Sequence, residues 1–219
     1  MGTRNLTMVI DNQGALKVAQ YGQWDGYPSG QGAVILEFAK NKDKMNRLEQ
    51  VLSNLKFFND CEEFDKYIDA YNNRCPRWNK TENKMSPDNR TEADFYWFDK
   101  TKTRDLCAKI LDSIITLDTT KLPKEHNNII YLYNDSEFGQ DSLFCEWAYC
   151  INFETNKLEC FKGFNKYKER EHERFETKQE DVDKNSGYYG IELVKEYDLD
   201  NLPSEDDFIK ELEACENEN

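Results

Sequence analysis

The residues with the most evident chemistry lie in one short run. Between Tyr21 and Gly32 the chain reads Tyr-Gly-Gln-Trp-Asp-Gly-Tyr-Pro-Ser-Gly-Gln-Gly and carries four of the ten glycines. Backbone amides without a neighbouring Cβ, at Gly22, Gly26, Gly30 and Gly32, admit close approach of a phosphate or carboxylate. Ser29 to Gly32 stands ahead of an expected helix, whose N-terminal dipole favours anions. Tyr21, Trp24 and Tyr27 offer rings for stacking on a planar base, and Arg4 supplies a balancing charge if the N-terminal strand brings it near. With Asp25 from the same loop, the candidate ligand-binding set is Arg4, Tyr21, Trp24, Asp25, Tyr27, Ser29, Gly30 and Gly32. The spacing is neither a Walker loop nor a dinucleotide fingerprint. The competing reading has glycine and proline shaping a turn while Trp24 and Tyr27 plug the core.

Other reactive residue types are scattered. The two histidines, His126 and His172, both sit among polar neighbours, which suits surface positions. Helical spacing would let His172 share a metal with Glu169 or Glu176, but a charge-dense segment offers such pairs by chance, so no metal is expected. The seven cysteines form an odd set without CxxC spacing and read as reduced thiols, most of them small core residues. Cys145 and Cys150, five apart, would face opposite sides of a regular strand. Asp25 and Glu146 are the acid and base types available, yet nothing places them at a shared bond, so no catalytic residue and no cofactor is assigned.

Charge narrows the partners. Forty-three acidic against twenty-nine basic residues give a net charge of −14, which disfavours sequence-independent binding to nucleic acid or to anionic membranes. The start of the chain shows no apolar signal core, Leu6 stands where myristoylation needs Ser or Thr, and no apolar run is long enough to span a bilayer. A cytoplasmic protein without a membrane partner is the expectation. Thirteen Phe, twelve Tyr and four Trp carry enough apolar area for a real core despite a hydrophobic share of only 38%.

These residues need elements to hold them. Leu6, Met8 and Ile10 alternate, a polar turn runs from Asp11 to Gly14, and Leu16, Val18 and Gln20 resume the alternation, predicting an N-terminal β-hairpin. Helices are predicted at Ala33–Lys40, through Met45, Leu48, Val51, Leu52 and Leu55, from Asp60 to Tyr71 ahead of Cys75-Pro76, and across Arg104–Leu117. The polar stretch 79–94 reads as an exposed loop. Strands follow at 129–133, 145–153 and 158–162. Residues 165–184 read as a solvated helix or linker, with a further extended segment at 188–197 and a Ser204-capped helix carrying Phe208, Ile209, Leu212 and Cys215. The prediction is one α+β domain, 1–219: a mainly antiparallel sheet with an N-terminal hairpin, a helical middle and a C-terminal helix, arranged as a layered sandwich.

The stretches Met1–Thr7 and Val18–Gly32, with a second block at Ser142–Tyr149 and Lys162–Phe164, resemble a family of small proteins found in phages and prophages. The resemblance implies a viral accessory gene acting in the host cytoplasm, without supplying an activity. The leading expectation is a non-enzymatic accessory protein that blunts antiviral defence by capturing a small nucleotide-like signalling ligand, without direct nucleic-acid binding. The alternative is an acidic inhibitor whose carboxylates, Glu169 to Asp183, occupy the basic groove of a host nucleic-acid-binding defence protein. A second alternative is a relic of an N-terminal-nucleophile-like amidohydrolase; here Gly2 has no nucleophilic side chain, and Thr3 becomes terminal only if a second residue is lost.

Overall fold

The computed structural model describes residues 2–57, 78–79, 84–85, 100–117, 129–184 and 186–215. Strands β1 (Asn5–Ile10) and β2 (Leu16–Gly22) form the predicted hairpin, closed by Asp11, whose carboxylate accepts from the amides of Gln13 and Ala15. Helices α1 (Ala33–Lys40) and α2 (Lys42–Val51) follow, the second capped by Asn41, whose side chain accepts from Lys44 N. Strand β3 (Leu55–Phe57) comes next, then the two-residue strands β4 (Trp78–Asn79) and β5 (Lys84–Met85), α3 (Lys100–Leu106), α4 (Ile110–Thr116) and β6 (Ile130–Leu132). The chain continues through β7 (Trp147–Asn152), β8 (Lys157–Lys162), α5 (Gln179–Lys184), β9 (Glu192–Asp198) and α6 (Glu205–Ala214). Of the predicted 60–71 helix nothing falls within the described residues, nor does His126, and only β4 and β5 do so from the 79–94 loop.

Five strands make the main sheet in the order β2-β1-β7-β8-β9. Three of its pairings are antiparallel, and the fourth, β1 with β7, is parallel, with Asn5 opposite Trp147 and Ile10 opposite Asn152. The fold class is therefore the predicted α+β, with one parallel join at the centre. All six residues of β1 are buried, because both faces of the sheet are covered. On one face Val9, Val18, Tyr149, Ile151 and Cys160 pack beneath residues of α1, α2, α4 and α6. On the other, Leu6, Met8, Ile10, Ala148, Cys150 and Phe161 pack with Phe175 and Ile191 from the 165–191 stretch.

That second cover corrects the expectation of a solvated helix or linker. Residues 165–184 form a strap of two helical turns and the short α5, inserting Phe175 fully into the core edge-on to Phe161 at 5.4 Å. Two of its charges are used internally: Arg174 pairs through both Nη atoms with the buried Glu159, which also accepts from Asn152 Nδ2 at 2.7 Å, and Glu171 accepts from the amides of Thr177 and Gly190. Charge counting in sequence misses this, because one apolar residue in a polar run is enough to invert its role once a facing cavity exists. Cys145 and Cys150 also share this second face rather than opposing each other, because Cys145 lies before β7 begins and the alternation does not reach it.

His172 is half-buried, not a surface residue. Its ring lies edge-on to Phe161 at 5.2 Å, and its Nδ1 accepts from the Arg174 amide at 3.2 Å. Burial, then the Arg174 charge, push its pKa below the ordinary value, while Glu159, Glu173 and Glu196 oppose the shift. Above pH 6.5 the imidazole is neutral folded or unfolded, so its contribution is fully present. As pH falls from there through the depressed folded value, only the unfolded chain takes up the proton, and stability drops. Urea unfolding at pH 7.5 and 5.5 should show a smaller acid-induced loss for His172→Gln than for the wild type. Arg174→Ala should lower stability by about 2–3 kcal/mol at neutral pH, measured the same way, because it strands the Glu159 carboxylate in the core without its counter-charge.

Candidate functional site

The topology sends one end of every main-sheet strand to the same edge: the starts of β1, β7 and β9 and the ends of β2 and β8. At this edge lie all five large hydrophobic side chains that are strongly exposed among the described residues, from Tyr27 at 40% to Tyr167 at 51%, with Phe144, Phe164 and Trp24 between. Of the predicted set, Arg4, Trp24, Asp25 and Tyr27 stand at this edge, in two separate parts of it, while Gly32 is buried against Tyr149 and Phe208.

The first part is the glycine-aromatic loop. Trp24 is 47% exposed and Tyr27 40%, so neither plugs the core. The loop holding them is tied down at many points: Gly26 N donates to Thr3 O, Gln31 N to Asp25 O, Asn5 Nδ2 to Trp24 O, and the buried Tyr149 hydroxyl to Gly26 O at 2.9 Å. Gly26 is required because a Cβ there would meet Arg4 O and Asn5 Cβ at 2.8 Å, and Asp25 takes a left-handed φ of 54°. The Trp24 indole N–H donates to Asp105 of α3 at 3.1 Å, which also accepts from Arg104 Nε, and the Asp25 carboxylate accepts from the Tyr27 hydroxyl at 3.3 Å.

The phosphate cradle expected from the glycine amides is not what these residues build. Pro28–Gly32 winds into a wide turn, so that Gly30 N and Gly32 N both donate to Tyr27 O, and Gly32 is buried against Tyr149 and Phe208. An amide already donating inside the turn has nothing left for a ligand. Ser29 remains exposed at its tip.

The loop also explains why the predicted 104–117 helix is broken. Cys107 takes φ 49° between α3 and α4, its thiol donating to Trp24 O and Arg104 O while Ala108 N donates to Gln31 Oε1 at 3.1 Å. Atoms of the loop thus take up groups that a continuous helix would satisfy within itself. Burial raises the Cys107 thiol pKa, and the fully buried Cys145, Cys150 and Cys160 are shifted further in the same direction, which suits inert core thiols.

The second part centres on Arg4. Its guanidinium lies 4.4 Å from the Phe144 ring centroid, with Nε 3.9 Å from Glu146 Oε1, an oxygen that also accepts from Arg4 N at 3.1 Å. No side-chain N–H of Arg4 makes a hydrogen bond within the described residues, although Nε is buried. The same is true of the buried acceptor Asp141 Oδ1, and burial raises that carboxyl's pKa. Tyr21 lies edge-on to Phe138 at 4.8 Å, with its hydroxyl donating to Gln23 Oε1; burial raises its pKa while Arg4 and Arg104 oppose the shift. Asp25 and Glu146 hold separate partners, Tyr27 and Arg4.

Sequence reasoning missed Asp141, Phe144 and the Phe164–Tyr167 segment. Phe144 and Phe164 lie in the blocks singled out at Ser142–Tyr149 and Lys162–Phe164, but nothing local marked those rings as exposed. The β1–β7 pairing brings the first block beside Met1–Thr7, and β8 carries the second to the same edge.

Among the described residues no group of three or more His, Cys, Asp or Glu side chains is placed to hold a metal ion, and no helix is long and apolar enough to cross a membrane. Tyr149→Phe should leave Gly26 O without its partner and cost about 1–2 kcal/mol in urea unfolding, while circular dichroism shows an unchanged fold. Comparison with family models, curated proteins and solved structures finds no match to the chain.

Proposed function

We propose that this chain is a non-catalytic binding protein that captures a small nucleotide-like ligand at the aromatic edge of its main sheet. In the phage setting that the sequence resemblance implies, such a protein would sequester a host signalling nucleotide and so act against defence. The observation that carries the reading is a loop held by hydrogen bonds to Thr3, Asn5 and Tyr149 that nevertheless exposes Trp24 and Tyr27. Rings presented on a prefixed backbone lose little entropy when a planar base stacks on them. Arg4, stacked on Phe144 with its N–H groups outside any hydrogen bond of the described residues, supplies the charge for a phosphate. In this version the glycine amides shape the loop and the arginine, not the amides, meets the anion. Of the carboxylates of 165–184, Glu171 is turned inward while Glu169, Glu173, Glu176, Glu180 and Asp183 are exposed, so the acidic-inhibitor reading keeps its charged face.

Isothermal titration of the purified protein against a panel of purine and pyrimidine nucleotides should yield saturable binding to at least one. The Trp24→Ala, Tyr27→Ala double variant should then bind about tenfold or more weakly, since one stacked base is worth about 1–3 kcal/mol. Absence of binding across the panel, or an unchanged affinity in the double variant, overturns the proposal.

A further inference from the structure

The rim continues past Arg4 with a repeating pattern of rings and cations. Strand by strand from β2 it presents Trp24 and Tyr27, then Arg4 over Phe144, then the segment Phe164–Arg170 facing residues that precede β9. In that last part Lys166 Nζ lies 5.0 Å from the Tyr188 ring centroid, the Arg170 guanidinium 4.7 Å from that of Tyr167, and Phe164 packs edge-on to Tyr188 at 6.4 Å. Three cations of a chain with net charge −14 thus sit on aromatic faces along one edge. Phe164 holds φ 59°, and hydrogen bonds fix the backbone around it: Phe164 N to Ser142 O, Asn165 N to Ser142 Oγ and Asn165 Nδ2 to Gly190 O. This far end is as firmly built as the Trp24 loop.

From β2 to β8 the edge crosses three strand spacings, about 14 Å at about 4.8 Å each. A single base cannot touch rings at both ends, whereas two bases joined through phosphate match the order ring, cation, ring. The acidity of the whole chain weighs against a long polyanion, whose phosphates would extend beyond the three cations.

Resting on the nucleotide reading above, we infer that the ligand is a dinucleotide. One base stacks at Trp24 and Tyr27, the other at Phe164, Tyr167 and Tyr188, and the bridging phosphate lies toward Arg4 and Lys166.

Titration calorimetry at low salt tests this with four probes: adenosine 5′-monophosphate, the linear dinucleotide pApA, its cyclic 3′,5′-linked form and an adenine octanucleotide, with a guanine set run in parallel. The expected result is about tenfold or more tighter binding of a dinucleotide than of its mononucleotide, one further stacked base supplying the gain, with no further rise for the octanucleotide. Tyr167→Ala and Lys166→Ala, both at exposed positions, should each weaken the dinucleotide several-fold and leave the mononucleotide unchanged, while Trp24→Ala weakens both. Equal affinity for mono- and dinucleotide, or far-end variants without effect, overturns the dinucleotide and leaves the Trp24 site standing. Affinity that keeps rising to the octanucleotide also overturns it, in favour of a polynucleotide surface. If no probe binds, the nucleotide reading falls and the inference with it.

Discussion

The parallel pairing of β1 with β7 is the constraint on which the rest depends. It joins the N-terminal hairpin to the β7–β8–β9 meander across about 140 residues of sequence, and its register, Asn5 with Trp147, sets which loops become neighbours. Because β1 is covered on both faces, a shift of one residue would exchange the side chains feeding its two cores, so the register is strongly specified. Parallel neighbours start at the same edge, so the residues before β1 and those before β7 lie side by side. Arg4 therefore meets Phe144 and Glu146, and the rim exists as a consequence of sheet geometry.

The two faces are covered by different means. Helices bury one face with ordinary amphipathic packing; α6 begins at Ser204, whose hydroxyl accepts from Asp207 N, and seats Phe208 and Leu212 fully in the core. The other face is closed by the strap, where Phe175 contributes buried area worth about 2–3 kcal/mol and the Glu159–Arg174 pair determines where the chain crosses the sheet. A buried ion pair adds less to net stability than its geometry suggests, since desolvation offsets most of the attraction. Its effect is positional: Arg174 can lie only where Glu159 is, which seats the neighbouring His172 and Phe175.

Backbone and side chains divide their roles within the glycine-aromatic loop. Its amides and carbonyls are consumed in holding it to Thr3, Asn5 and Tyr149, and the Trp24 indole N–H ties it to Asp105 of α3, while the Trp24 and Tyr27 rings are left largely exposed. A backbone so engaged has little capacity to grip a ligand, but it presents Trp24 and Tyr27 in fixed positions. In the proposed function, recognition falls to side chains along the edge: rings for planar groups, and cations resting on rings for charge.

Periodicity and local chemistry determined much of this protein without its coordinates: the hairpin, α1, most of α2, the Ser204 cap, the shared face of Trp147, Tyr149 and Ile151, and the α+β class. These follow from contacts within a few residues, where the pattern of apolar side chains records which face will be buried. The eight candidate ligand residues were also legible as types, and Arg4, Trp24, Asp25 and Tyr27 do stand at one edge. What only the tertiary structure decided was how they are used. The break at Cys107 arises from Trp24 O and Gln31 Oε1, some 80 residues away in sequence. Likewise, the inward turn of Phe175 and Arg174 depends on Phe161 and Glu159, and the gathering of Phe144 and Phe164 beside Arg4 depends on strand order. Local sequence carries the propensity of a segment, but whether an amide is spent or a ring exposed is settled by partners that arrive from elsewhere in the chain.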